Sequence, residues 1–230
     1  MSALIVEIWS DVVCPWCWIG LTRFEKALER FAHHAQVETK HHSYRLMPGQ
    51  PPLPVAEMVR RKMGGGPAEA ARMFAHVEAT AAADGLTYHL ADSVTGDTLD
   101  AHRLIKLGSS EGLGIAMLKR LYRAYLTEQM SVFDHDILLH LAAETGLDPA
   151  RAQKVLNGDE FHAEIEADQR ALNALGGNGV PFFLIGGKYA ISGAQPVAAF
   201  AQALDRAWAE RPLQPLIVAE GPVCGLDGCP

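Results

Sequence analysis

Cys14 and Cys17, separated by Pro15 and Trp16, are the residues of this 230-residue chain best suited to chemistry. Two thiols that can meet can be oxidised to a disulfide and reduced again, passing two electrons to or from a partner. With helix-cap labels, Cys14 is the N-cap and Pro15 the first helical residue, where its missing N–H costs nothing. Cys17 is then the third helical residue. The Cys14 sulfur sits at the positive end of the helix dipole, where it can accept the Cys17 N–H, and both effects favour thiolate over thiol. Residues three apart on a helix are roughly 5–6 Å apart, which a disulfide can span. Cys17 lies one turn inside and faces the core, a poor nucleophile but a good resolving thiol. The expected cycle has Cys14 attacking or being attacked and Cys17 closing the ring.

The flanking elements must place that pair. Leu4 to Trp9 is an apolar, β-branched run that predicts a largely buried strand. After a short loop, Leu21, Phe24, Leu28 and Phe31 recur at helical spacing. Val37 to Leu46 is expected as a second strand, and four prolines between Pro48 and Pro54 break the chain. From there to Gly176 the pattern is helical only. Pro67 stands as a first-turn residue, Gly85 as a terminator, and Asp148-Pro149 as a cap with its first-turn proline. Leu118, Leu121, Tyr122, Tyr125 and Leu126 form one apolar stripe, and Phe161, Ile165, Leu172 and Leu175 another. Val180 to Ile185 and Lys188 to Ser192 flank Gly186-Gly187, a two-residue hairpin turn. A last amphipathic helix carries Val197, Phe200, Ala201, Leu204 and Trp208, and beyond Arg211 the chain turns rich in Pro and Gly.

Composition narrows the function classes. At 49% hydrophobic and 20% charged residues the chain can bury a sizeable core. A net charge of −7, with no basic run longer than Arg60-Arg61-Lys62, argues against nucleic acid as a partner. No apolar stretch approaches the roughly 18 residues of a membrane helix, so no membrane partner is expected. Met1-Ser2-Ala3 runs straight into the first strand without a basic region or cleavage site. Four cysteines are too few for a secreted disulfide scaffold, and a cytoplasmic setting is expected. Gly179-Val180-Pro181 opens the late hairpin. A proline there fits an edge strand in trans, whereas a cis bond would turn the chain sharply and expose the Val180 backbone; spacing leaves both open.

A strand, a Cys-Pro-Trp-Cys helix, a helical insertion and then Val180 to Ile185 with the Gly-Gly hairpin and Ile191-Ser192-Gly193-Ala194-Gln195 together resemble the DsbA branch of the thioredoxin superfamily. Within it, the blocks Leu4 to Gly20, Tyr44 to Pro48, Thr98 to Leu104, Leu121 to Glu128 and Gly179 to Gln195 are similar to the FrnE-like cytoplasmic group. Met47 stands where that group usually has Asn. The resemblance implies an α/β thioredoxin-like fold with an inserted all-helical subdomain. It divides the chain into a thioredoxin-like unit (1–50 plus 177–210), a helical insertion (51–176) and a flexible tail (211–230). It also implies that Pro181 is cis and faces the cysteine pair, and that Val180 offers backbone hydrogen bonds to a bound substrate. The implied activity is thiol–disulfide oxidoreductase or disulfide isomerase, with no cofactor because the cysteines carry the electrons. Its partners would be protein or low-molecular-weight thiols and disulfides, glutathione included.

Other residues carry weaker expectations. Trp16 cannot pack inward without disturbing the cysteines and could form a substrate-binding lip with Val12, Val13 and Phe182. His102 could stabilise a thiolate or be an ordinary helix histidine, and Glu7 could accept a proton from Cys17 or be a partly exposed strand residue. His33-His34 and His41-His42 are adjacent pairs whose side chains diverge, which makes metal ligation unsuitable. Cys224 and Cys229, five apart with two glycines between them, could act as a second redox pair reaching Cys14. Two alternatives complete the range. One is a glutathione-dependent transferase or isomerase of the kappa or 2-hydroxychromene-2-carboxylate isomerase type, a resemblance opposed by the cysteine where those enzymes use serine. The other is a zinc module built from all four cysteines.

Overall fold

The computed structural model describes residues 3–63 and 66–211. Strand β1 (Leu4–Ser10) leads into helix α1 (Pro15–Arg30) and then strand β2 (Val37–Ser43). Between β2 and the next long strand come β3 (Leu53–Pro54), α2 (Val55–Met63), α3 (Pro67–Ala83), β4 (Val94–Thr95), α4 (Leu99–Ser110) and α5 (Gly114–Leu126). They are followed by α6 (His135–Glu144), α7 (Pro149–Asn157) and α8 (His162–Ala174). The described chain closes with β5 (Phe182–Ile185), β6 (Tyr189–Ser192) and α9 (Val197–Ala209). The main sheet runs β2-β1-β5-β6, with β1 parallel to β2 and antiparallel to β5.

β1 is central and mostly buried, with Ile5 and Glu7 the half-exposed positions of its first half. Adjacent residues of β5 show the two faces. Phe183 joins Phe24 of α1 and Phe200 of α9, with ring centroids 4.8–5.9 Å apart. Phe182, pointing the opposite way, packs with Trp9 of β1 and Leu172 of α8. Gly186 and Gly187 turn the β5–β6 hairpin at φ +61° and +67°, a conformation that L side chains resist.

Helices α2 to α7 and α9 share one continuous apolar core with the sheet and α1, including Leu104, Leu121, Tyr122 and Leu138, while Leu172 of α8 packs with Trp9 and Phe182. Arg103 of α4 is buried there, and its guanidinium donates to the carbonyls of Val155, Leu156, Gly158 and Glu160. It thereby satisfies carbonyls at the C-terminal end of α7 that the helix leaves open. Among the described residues, no helix is long and apolar enough to cross a membrane.

Three local expectations need correction. β2 stops at Ser43 rather than Leu46, because the Leu46 N–H leaves the ladder to donate to the Asp11 carboxylate (2.8 Å). The stretch between residues 54 and 176 is not purely helical, since Leu53–Pro54 pairs with Val94–Thr95 in a two-residue ladder. Leu175 is 49% exposed because α8 ends before it, at Ala174.

Candidate active site

β1 delivers the chain to Asp11, and a turn closed by the Cys14 N–H on the Asp11 carbonyl (3.2 Å) starts α1. Cys14 is the N-cap, in extended conformation, with Pro15 in the first turn. The expected sulfur cap is absent. The Cys17 N–H is satisfied by the Cys14 carbonyl (3.0 Å), which leaves the Cys14 thiol free to point elsewhere. It donates instead to the Val180 carbonyl at 3.6 Å, and the Val180–Pro181 peptide is cis. Residues 166 positions apart in sequence thus meet at one sulfur.

The loop bearing Pro181 is fastened to α1. Gly20 approaches it so closely that a Cβ there would stand 3.0 Å from Pro181 Cγ. Arg23 Nη1 donates to the Ala194 carbonyl (2.7 Å), and the Gly193 N–H donates to the Pro181 carbonyl (2.8 Å).

Both Cys14 and Cys17 are buried free thiols, the latter 1% exposed. Burial pushes the Cys17 thiol well above its ordinary value, and the hydrogen bond and charge of Cys14 push the same way. The Asp11 charge adds to this, while a backbone hydrogen bond from Asp11 pulls against it.

Asp11 is a residue of the site that the sequence pattern did not single out. It is 0% exposed, and its carboxylate accepts from Thr98 Oγ1 (2.7 Å) and the Leu46 N–H (2.8 Å). His102 Nε2 stands 3.4 Å away. Thr98 is the N-cap of α4, yet it turns its hydroxyl to Asp11 and leaves the helix uncapped by its side chain. A carboxylate three residues before Cys14, followed by Val12-Val13, was the available signal, since a charge in an apolar stretch needs partners. Tyr88 and Trp18 were missed as well. The Tyr88 hydroxyl donates to the Pro15 carbonyl (2.9 Å), and Trp18 stacks between Tyr88 and Tyr122 at 5.7 and 5.9 Å. Burial raises both phenols, so they stay neutral.

The remaining candidates fall in several places. Trp16 is half-buried beside His76 (6.3 Å between rings) and lines an apolar cavity of about 370 Å³ together with Cys14 and Val13. The proposed lip loses two members, because Val12 is fully buried and Phe182 faces Trp9 and Leu172. His102 points at Asp11. Glu7 is half-exposed and pairs with His42 Nε2 at 3.2 Å, the partly exposed alternative of the two considered for it. Among the described residues, no group of three or more His, Cys, Asp or Glu is arranged to hold a metal. Cys224 and Cys229 lie outside the described residues.

The profile of the DSBA-like thioredoxin domain matches residues 5–205. A probable DsbA oxidoreductase from Streptomyces coelicolor is 41% identical and superimposes with a TM-score of 0.88 over 99% of this chain and 98% of its own. The cytosolic disulfide reductase DsbM of Pseudomonas aeruginosa, solved with GSH, is 21% identical and shares the fold, with a TM-score of 0.64 over 90% of this chain and all of its own. The uncharacterized protein YwbO of Bacillus subtilis (strain 168) is 26% identical over 79% of this chain and 86% of its own.

Proposed function

The chain belongs to the DSBA-like thioredoxin domain family, and from that premise we propose that it is a thiol–disulfide oxidoreductase working through Cys14 and Cys17. The observation that carries the reading is the Cys14 thiol, held at the N-terminus of α1 against the Val180 carbonyl, with the Cys17 thiol buried one turn behind it. Cys14, as thiolate, attacks a substrate disulfide R–S–S–R′; a Cys14–S–S–R bond forms and R′S⁻ leaves. Cys17 then loses its proton and attacks the Cys14 sulfur. RS⁻ departs and is protonated, the cysteine pair becomes a disulfide, and the substrate has gained two electrons. Run in reverse, the same steps introduce a disulfide.

Burial, and after it the hydrogen bond and charge of Cys14, keep Cys17 as the thiol until that second step, so only one strong nucleophile is presented at a time. The Val180 backbone, next to the attacking sulfur, can pair with an extended substrate chain, and Pro181 shapes that groove. Trp16 lines the apolar cavity beside Cys14. The proposal extends to protein and small disulfides as substrates, to isomerisation, to membership of the FrnE-like group and to a cytoplasmic setting. It also includes the division into a thioredoxin-like unit, 1–50 plus 177–210, with 51–176 inserted. Nothing at the site favours the transferase reading, because a thiol occupies the position where that reading needs serine.

Titration of the protein in glutathione redox buffers, with alkylation and mass to count thiols, tests this reading. A reversible two-electron step at Cys14 and Cys17 is expected. A potential near roughly −120 mV would mark an oxidant and one near roughly −270 mV a reductant. If Cys14 and Cys17 never join, the proposal fails.

A further inference from the structure

The cavity of about 370 Å³ beside Cys14 is not part of the groove at Val180, for neither Val180 nor Pro181 lines it. Its walls come from Val13 to Trp16, from α2, α3 and the segments before α2 and α4, and from Tyr125 of α5. Met47, Met58 and Met73 line it together with Val55, Val77 and Leu90. Among the described residues its only titratable side chains are Cys14, His76 and Tyr125, with no Lys or Arg. Two of its hydroxyls are already engaged, Ser93 with the His89 carbonyl (3.3 Å) and Thr95 with the Met47 sulfur (3.4 Å). An occupant therefore meets mostly hydrocarbon, thioether and aromatic ring.

That chemistry selects a class of ligand. A glutathionyl group brings two carboxylates and an ammonium, which would lose water here without finding a charged partner. Thioethers, by contrast, adapt to the shape of an apolar guest and make favourable contacts with aromatic rings. A cavity of about 150 Å³ accommodates benzene, so this one has room for a two-ring aromatic or an alkyl group of similar bulk. An extended peptide held by the Val180 backbone would lie along the other groove.

We propose that this cavity binds the organic group R of an uncharged, apolar, low-molecular-weight disulfide while Cys14 exchanges with its sulfur. The inference rests on the reading of Cys14 as the attacking thiol. Cys14 attacks the sulfur bearing R, R′S⁻ leaves, and R stays in the cavity as Cys14–S–S–R. Attack by Cys17 on Cys14 then expels RS⁻, which takes up a proton. Two equivalents of a thiol reductant return the cysteine pair to its dithiol form.

The test uses the full chain carrying Cys17→Ser, so that the mixed disulfide persists, and a matched set of 2-pyridyl disulfides whose reaction releases coloured pyridine-2-thione. R is methyl, 2-naphthylmethyl, glutathionyl or an N-acetyl-phenylalanyl-cysteine amide. Peptide mass locates the adduct, and each rate is divided by that with free N-acetylcysteine. The naphthylmethyl probe is expected to label Cys14 about tenfold or more faster than methyl, because withdrawing only about 60 Å² of ring from water suffices for that factor. The glutathionyl probe should show no such advantage, and Met73→Lys should shrink the naphthylmethyl-to-methyl ratio. If Met73→Lys does not fold, the ratio with Cys17→Ser alone decides. A ratio near one, or a glutathionyl or peptidyl probe that reacts fastest, overturns the apolar-ligand proposal and leaves the oxidoreductase reading standing. Failure of every probe at Cys14 in the folded protein, with reaction after unfolding, overturns that reading itself.

Discussion

Replacing Asp11 separates its structural from its electrostatic role. The carboxylate is 0% exposed and accepts from the Leu46 N–H and from Thr98 Oγ1, with His102 Nε2 at 3.4 Å. Hydrogen bonds to a charged group contribute about 1.5–3 kcal/mol each, and a buried donor left without an acceptor costs its full desolvation. Asp11→Ala strands both donors, so a loss of about 3–6 kcal/mol is expected. Asp11→Asn keeps one acceptor oxygen of similar shape and should lose about half as much. Urea unfolding followed by tryptophan fluorescence reads this as a shift of midpoint at constant slope. The charge has a separate signature. Burial is the main cause of the raised Cys17 thiol and the Asp11 charge adds to it, so Asp11→Asn should move the pH profile of Cys17 alkylation to lower pH. Cys14 is changed to Ser in both proteins for that measurement. Asp11→Ala within about 1 kcal/mol of the parent, or a Cys17 profile that stays put or moves up, would show that the carboxylate does not play these two roles.

Three further outcomes follow from other contacts. Gly20→Ala gains about 1 kcal/mol of helix propensity but forces Pro181 Cγ away from 3.0 Å, which costs about 1–3 kcal/mol. A net loss of about 0–2 kcal/mol in urea and a changed Cys14 alkylation rate are expected; a clear gain in stability would show that the Pro181 loop yields freely. Arg103→Met leaves the carbonyls of Val155, Leu156, Gly158 and Glu160 without their donor and should cost about 3–5 kcal/mol by chemical unfolding. Burial, then the charges of His42 and Lys119, lower His41 to about 4. The unfolded chain therefore takes the proton first, and the stability present above pH about 6.5 declines as pH falls toward 4, by at most about 1.4 kcal/mol per unit. His41→Gln should flatten that slope, and an unchanged slope would assign it to another group.

Local patterns carried much of the architecture. Helical stripes such as Leu118 to Leu126 are buried as their spacing requires, and Asp148 caps α7 by accepting the Arg151 N–H. Gly186-Gly187 marks its hairpin because two adjacent positive φ angles exclude most side chains. The same logic weakened where pairing is non-local. The β3–β4 ladder joins residues about forty apart, and β2 ended early because Leu46 found a carboxylate from another segment. The polar sequence of β2, Val37 to Ser43, also alternates poorly.

At the site, the thiol pair, its spacing and its place at a helix N-terminus are legible locally, since these depend on neighbours three residues apart. Long-range docking of the chain fixed what the sulfur of Cys14 touches, because its partner Val180 is 166 residues away. It also decided that Asp11 is buried, with acceptors filled from Leu46 and Thr98, and that three methionines from separate segments wall one cavity beside Cys14. Those contacts depend on how the helices dock on the sheet, and side-chain burial and charge pairing acquire their values only once that docking is complete.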